Sequence, residues 1–500
     1  MNTLISKGQS LFLILMNFVV LVNFTITFIA SPYIIWSLGG SDDISSYMIS
    51  FFAFGCVIGI PLSSLVMRHF KILSTYLVLS IAFATVTHLC CFSKNFFEIL
   101  TLRLLQGFFC GLLIPMISCI LGQVSRPENK AFNNHLSLLI SVSAPALGAS
   151  LGGIIAYEYD WRWLFYITPP LILFLSVPTF FILRKHQLYN NLKNFNCISY
   201  LFFCLWVLCI GSAITLGQFL DWQRSNTIIA LTSVGIFSLI FYILWDFNHP
   251  SPILNLHLFK RLRFFIGILS LFILFSLYYG NVLLLSSWLT FDVKFDTSWV
   301  GIITGHIVIA TFLLSIFAYK IHRFDPRIPL SVAILLFLIS SFYTSTFSAD
   351  IDFLRLAISR VLSGFSLALF LAPIQKMCLE NVSSQEGNEG NLIFQMARNL
   401  AGGLGAAFFT TVWWRRSVFF HERLGEQLTS FSTLTKNYLK EYSFFHMQGK
   451  PATAELEHAL NMQSKALALD DTFYLMSWIF VALLITLLLT TLKKKPFMET

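Results

Sequence analysis

Time after time along this chain, apolar residues run on for about the 20 positions a helix needs to cross the hydrocarbon core of a bilayer. Fourteen such spans can be drawn, at 11–35, 44–66, 72–92, 97–122, 136–157, 163–183, 197–219, 227–245, 264–290, 299–319, 329–347, 353–379, 391–414 and 472–492. Lipid offers no partner to a free backbone N–H or C=O, so each span must close its hydrogen bonds internally as a helix. Little is left for a water-soluble domain. Charged residues make up 11% of the 500, against about a quarter in soluble chains. The expected fold class is an all-α membrane protein. The apolar run Leu11–Ala30 that follows Lys7 is longer than the roughly 7–15 residues of a signal-peptide core, and is read as the first, uncleaved helix.

Lys and Arg in short loops set the orientation of such a bundle. One set of alternate loops and ends carries eighteen: Lys7, Arg68, Lys71, Arg126, Lys130, Arg184, Lys185, Lys193, Lys260, Arg261, Arg263, Lys320, Arg323, Arg327, Lys376 and Lys493 to Lys495. The other set carries five: Lys94, Arg162, Arg224, Lys294 and Arg355. That alternation predicts an even number of crossings with both termini in the cytoplasm. The loop 415–471 then falls outside, as a partly helical cap, a partner-contact surface or a solvated excursion.

A repeat is visible. Arg103 and Gly107 in RLLQG recur 257 residues on as Arg360 and Gly364 in RVLSG, and Gly148 recurs at the same offset as Gly405 in AGGLG. Arg68 in RHFK recurs 255 residues on as Arg323 in HRFD. The offsets predict two six-helix halves, 1–196 and 264–500, with two inserted helices and a linker at 197–263.

Within the fifth span, Ser141, Ala144, Pro145, Gly148, Ala149, Gly152 and Ala156 share one helical stripe. Small stripes let two backbones approach closely in lipid, and Pro145 bends its helix. The stripe, with Gly153 and with Gly107 in span four, reads either as plain packing or as a seam about which two halves move. Buried charge costs about 2.5–3.5 kcal/mol per group on insertion scales, so Arg103, Arg360 and Arg398 stand out, as coupling or cargo groups or as buried hydrogen-bonding hubs. Gln395, Arg398, Asn399 and Gly402 form one polar face on span thirteen, and Asn23, Thr27 and Ser31 another on span one. His306 lies well inside a span and is either a hydrogen-bonded core imidazole or a proton carrier.

Other chemistry is excluded. The nine cysteines lie in or beside apolar spans without metal spacing, which argues against a disulfide framework or a zinc site. No Walker loop, HExxH, supported Ser/His/Asp set or paired intramembrane aspartates occurs, so no enzyme, cofactor or metal is expected. The net charge of +9 reflects loop asymmetry; no nucleic-acid-binding motif accompanies it.

The residues resemble the major facilitator superfamily, in particular its fourteen-helix drug:proton antiporters of the EmrB/QacA type. LRLLQGFFCG carries that superfamily's span-four motif at Arg103, Gln106, Gly107 and Gly111, and APALGASLGG is similar to the antiporter motif at Pro145, Gly148, Gly152 and Gly153. WRWLFYI at 161–167, HPSPILNLHLFKR at 249–261 and RNLAGGLG…WWRR…H at 398–421 extend the likeness. Two departures matter. Asn23 stands where the family's first span has an acidic residue thought to serve proton coupling beside the span-four arginine. In the loop after span two, Ser64 and Lys71 replace glycines and the motif's Asp is missing, while Arg68 and His69 keep its basic character.

The resemblance implies a major facilitator fold with 14 transmembrane helices and an efflux transporter of the bacterial inner membrane. Such a protein exports amphipathic or hydrophobic small molecules by alternating access. The resemblance also implies proton antiport, membrane lipid around the bundle, and a periplasmic adaptor with an outer-membrane channel as partners. Arg103, Gln106, Asn23, His306, Arg398 and Asn399 become transport or coupling residues. Arg68 and Arg323 become a cytoplasmic gate loop. With Asn23 neutral, Arg103 is expected to be able to hold an anionic cargo. Export of an endogenous metabolite such as a siderophore, and a non-transporting membrane sensor, stay open beside this reading.

Overall fold

The computed structural model describes residues 7–40, 46–184, 196–250, 252–321, 325–348, 350–380, 382, 386–429, 431–433, 435–437, 440 and 450–492. Its α-helices are α1 (Lys7–Thr25), α2 (Ser31–Ser37), α3 (Tyr47–His69), α4 (Ile72–Leu89), α5 (Phe96–Val124), α6 (Pro127–Glu158), α7 (Trp163–Tyr166) and α8 (Thr168–Leu183). The chain continues through α9 (Cys197–Leu216), α10 (Asn226–Asn248), α11 (Leu262–Phe291), α12 (Thr297–Ile321), α13 (Arg327–Thr344), α14 (Phe353–Leu379), α15 (Gly387–Gly425) and α16 (Lys450–Leu492). No strand occurs among the described residues.

Among the described residues, twelve stretches are long and apolar enough to cross a membrane, α7 and α8 counting together as one. Gln9–Thr25 is a shorter apolar helix. α1 and α15 occupy the first and thirteenth of the fourteen expected spans. In α15 the charges of Arg398, Arg415 and Arg416 dilute an otherwise apolar middle. α9 and α10 pack on each other and leave much of their apolar surface exposed, as a lipid-facing pair does.

The first span is broken. α1 stops at Thr25, and Pro32 sits in the first turn of α2. Proline has no N–H to give back along the helix. The Ser31 hydroxyl donates to Phe28 O at 2.9 Å instead, and Phe28 N–H closes a tight turn onto Thr25 O at 2.9 Å. Carbonyls just before the break are thereby released for other donors.

Packing follows a repeated scheme. α3 packs on α5 and α1 on α6; α12 packs on α14 and α11 on α15. The two sets meet where α6 faces α12 and α3 faces α15. Glycines set how close these helices come. A Cβ on Gly107 of α5 would sit 2.0 Å from Phe52 O of α3, and one on Gly364 of α14 would sit 2.5 Å from Ile307 O of α12.

The region expected as an outer loop, 415–471, is helical at both described ends. α15 has 39 residues and α16 has 43. At about 1.5 Å per residue these are roughly 58 and 64 Å long, twice the ~30 Å hydrocarbon core. The overhanging parts pack side by side. Trp413 Nε1 donates to Lys465 O at 3.0 Å, His421 Nε2 lies 2.9 Å from Glu457 Oε1, and Arg416 pairs with Asp471. Lys465 Nζ donates at 2.7 Å to Asp292, buried at the end of α11. Lys465→Met removes the α16 ammonium from a buried carboxylate. We expect a loss of about 2 kcal/mol, below the full cost of a buried pair because the lysine is partly exposed. The readout is a lower melting temperature in detergent, and adding Asp292→Asn should return part of it. An unchanged melting temperature would show that the pair does not tie α16 down.

Candidate functional site

Three buried arginines, one of them facing a cavity, define the polar interior. Arg103, on the middle of α5, is 0% exposed. A guanidinium has five N–H donors, and five acceptors meet it. Nε donates to Met48 O at 3.4 Å. Nη1 donates to Asn23 O at 3.1 Å and Gln106 Oε1 at 2.7 Å. Nη2 donates to Phe24 O at 3.2 Å and Thr27 Oγ1 at 3.4 Å. Asn23, Phe24 and Thr27 stand at the break in the first span, which is what brings their oxygens within reach. Gln106 Nε2 donates to Asn23 Oδ1 at 3.3 Å and to Thr87 Oγ1 at 2.9 Å, and Asn23 Nδ2 donates to Val19 O at 2.8 Å. The Phe52 ring covers the guanidinium at 4.4 Å. Every partner of Arg103 is neutral, and no donor is left over for a cargo.

Arg360 on α14 is the counterpart, with fewer partners. Nη1 donates to Asn281 Oδ1 at 2.7 Å and Nη2 to Ser359 Oγ at 3.1 Å, while buried Nε has no hydrogen bond. Asn281 lies 258 residues after Asn23. The sequence reading missed it, because it falls one residue off the 257-residue offset of the repeat.

Arg398, on α15, faces a cavity of about 550 Å³. Its guanidinium stands 5.9 Å from the Phe275 ring centroid. The cavity lies between the early part of α1, the late part of α5, the early part of α6, the late part of α14 and the early part of α15. It therefore sits toward the end of the bundle that carries the α1 N-terminus. Above Arg398, Gly402 packs against Phe24 and Tyr279. Phe24 meets Tyr279 edge-on at 5.2 Å and Phe28 meets it at 5.9 Å, an aromatic plug between α1 and α11. Of the polar face expected on α15, Gln395 and Arg398 line the cavity, Asn399 is buried with Nδ2 unpartnered, and Gly402 reaches the plug.

Beyond the plug the bundle is shut. Ser150 Oγ of α6 donates to Gly301 O of α12 at 2.7 Å, and a Cβ on Gly153 would lie 2.5 Å from Thr297 O. Ser50 Oγ of α3 donates to Gly403 O of α15 at 2.9 Å. The small stripe of α6 thus divides. Gly148 and Gly152 face Val22 of α1 and Ile26 just past its end, and Thr25 donates to Pro145 O. Gly153 and Ser150 face α12. Spacing marks a stripe but not what covers it, so Ser150 and Ser50 escaped the sequence reading.

A bundle with a broken first span, close glycine contacts and buried arginine clusters is open to several families, and comparison with known proteins decides which. The Major Facilitator Superfamily model matches residues 13–406. The chain belongs to the major facilitator superfamily. This superfamily chain is 26% identical over 475 residues to the Multidrug export protein EmrB of Escherichia coli K12, covering 94% of this chain and 92% of that protein. It is 24% identical over 485 residues to the Fatty acid resistance protein FarB of Neisseria gonorrhoeae, covering 96% and 94%. A bacterial homolog of the human lysosomal transporter Spinster, solved inward-facing and unoccupied, superposes with a TM-score of 0.64 at 14% identity, covering 98% of this chain and all of that one; that likeness carries the fold. The expected family and all-α major facilitator fold are borne out, and the family is one of transporters rather than enzymes.

The remaining expected site residues are scattered over the superfamily fold. His306 of α12 is half-buried, with Nδ1 3.0 Å from Ile302 O and its ring 5.6 Å from Phe353. It joins neither the Arg103 cluster nor the cavity wall. Arg68 lies half-buried in the last turn of α3. Arg323 lies outside the described residues.

Proposed function

We propose that this chain is an efflux transporter that exports amphipathic or hydrophobic small molecules by alternating access. One observation carries the reading: a cavity at one end of the bundle, closed at the other by the α6–α12 and α3–α15 contacts. The names of EmrB and FarB, a multidrug exporter and a fatty acid resistance protein, agree with it. The excess of Lys and Arg on alternate loops supports a bacterial inner-membrane protein with both termini in the cytoplasm. The cavity then opens inward. Counting α1 and α15 with the twelve apolar stretches gives fourteen crossings. Halves 1–196 and 264–500 would rock on each other, with 197–263 as the insertion. The overhang of α15 and α16 would be periplasmic and would be the surface for an adaptor leading to an outer-membrane channel. Arg68 and Arg323 would belong to the cytoplasmic gate.

Coupling to protons belongs to the same proposal, and Asn23 is where to test it. Asn23→Asp changes no heavy-atom shape and puts a carboxyl beside Gln106 and Arg103. In proteoliposomes with an imposed pH difference, we expect cargo flux to follow the gradient, and Asn23→Asp to steepen that dependence several-fold. Flux that ignores the gradient in both proteins would remove proton antiport. Immobility of every cargo under every gradient would remove the exporter.

A further inference from the structure

The cavity is divided by chemistry. One wall, from α1 and α5, offers Ile14, Leu21, Ile114, Ile117 and Leu121. The other, from α14 and α15, offers Gln375, Lys376, Asn391, Gln395 and Arg398. Two of these are cations, and no carboxylate lines the cavity among the described residues. Arg398 is 7% exposed, yet unlike Arg103 it makes no hydrogen bond or ion pair among the described residues; its one neighbour of note is the Phe275 ring. Two amides of the lining are also unspent: Asn17 Oδ1, on a residue 8% exposed, and Gln395 Oε1 are buried without partners. Both residues line the cavity, so each brings an amide to its wall.

A buried guanidinium with free donors costs the fold unless something meets it. Its planar fork matches a carboxylate with two parallel N–H···O bonds. Lys376 adds a second positive charge on the same wall. The apolar wall opposite suits a hydrocarbon tail, and about 550 Å³ lies within the roughly 300–1,000 Å³ of pockets that hold small ligands.

We infer that Arg398, backed by Lys376 and Gln395, forms a headgroup subsite for an amphipathic monoanion, whose tail lies against α1 and α5. This rests on the exporter reading and gives that exporter its substrate class. The inference moves the anion-holding role expected of Arg103 to Arg398.

The test compares one fluorescent long-chain acid with its uncharged primary amide of the same length, on full-length protein in detergent. The wild-type protein should bind the acid at least tenfold more tightly than the amide. Arg398→Gln should bring that ratio to near one, Arg398→Lys should recover part of it, and Lys376→Gln should lower it several-fold. Should Arg398→Gln fail to yield folded protein, the wild-type ratio and Lys376→Gln, at an exposed position, decide alone. A wild-type preference near one, or an unchanged ratio in Arg398→Gln or Lys376→Gln, overturns the inference. The same acid is then loaded into proteoliposomes. Binding that depends on Arg398 without movement under any gradient would keep the subsite and refute the transporter.

Discussion

An Arg103→Leu protein is expected to lose export of every cargo, charged or neutral, together with part of its stability. The substitution removes five donors and leaves Met48 O, Asn23 O, Phe24 O, Gln106 Oε1 and Thr27 Oγ1 facing an apolar side chain. No water reaches a residue that is 0% exposed. Each stranded acceptor costs about 1–3 kcal/mol. Relief from burying the charge returns about 2.5–3.5 kcal/mol on insertion scales. Five acceptors against one charge leave a net loss of at least about 2 kcal/mol, concentrated where the first span breaks. The check is melting temperature in detergent beside transport of an acid and its amide. Equal loss for both cargoes, with a lowered melting temperature, fits a hub that holds α1, α3 and α5 together. A stable protein that loses only the acid would return the cargo role to Arg103. Arg103→Lys should do little better than Leu, since one ammonium cannot reach oxygens spread over three helices.

What could be read in the sequence follows from which forces act locally. Crossing helices were legible because length and hydropathy act segment by segment; Leu262–Phe291 reads as a membrane helix wherever it packs. The polar face of Gln395, Arg398 and Asn399 was legible from helical spacing alone, whereas Asn281 falls one residue off the 257-residue offset that joins Arg103 to Arg360 and was missed. The use of Arg103 was hidden. Three of its partners are backbone carbonyls, and two of those, Asn23 O and Phe24 O, are available because the first helix stops at Thr25. No side-chain pattern reports that. The continuation of α15 past Trp414 was hidden for a different reason. Hydropathy falls where Arg415 and Arg416 meet the membrane surface, but a helix need not end there, and pairing with α16 keeps it going. The stripe on α6 gave a face without a partner, so Gly152 and Gly153, neighbours in sequence, turned out to touch different helices.

That division of the α6 stripe sets up the sharpest steric test. Gly107→Ala and Gly152→Ala are each expected to cut export by more than tenfold and to lower the melting temperature. Gly122→Ala, in the cavity wall, should not lower the melting temperature. The added atom is one methyl group in all three. In Gly107 it would stand 2.0 Å from Phe52 O and in Gly152 1.9 Å from Ile26 O, whereas around Gly122 nothing lies within 4 Å. Both obstacles are backbone carbonyls, which cannot swing aside as a side-chain tip would. The helices must instead part by more than an ångström, along contacts whose attraction in lipid is dispersion and falls steeply with distance. Helix propensity argues the other way, favouring Ala over Gly by about 1 kcal/mol, so Gly122→Ala should be neutral or slightly stabilising. If propensity governed all three sites, all three variants would melt higher; if close approach governs, the first two fall and the third does not. Gly107 joins α5 to α3 and Gly152 joins α6 to the end of α1, so both lie inside one proposed half. Their failure should therefore appear as loss of the folded bundle rather than as arrest in one conformation. A variant at Gly153, whose Cβ would meet Thr297 O of α12 as well as the Ile29 side chain of its own half, should disturb the closed end. Export lost with the melting temperature preserved at Gly153, and lost together with it at Gly152, is the pattern that places the moving joint at the α6–α12 contact.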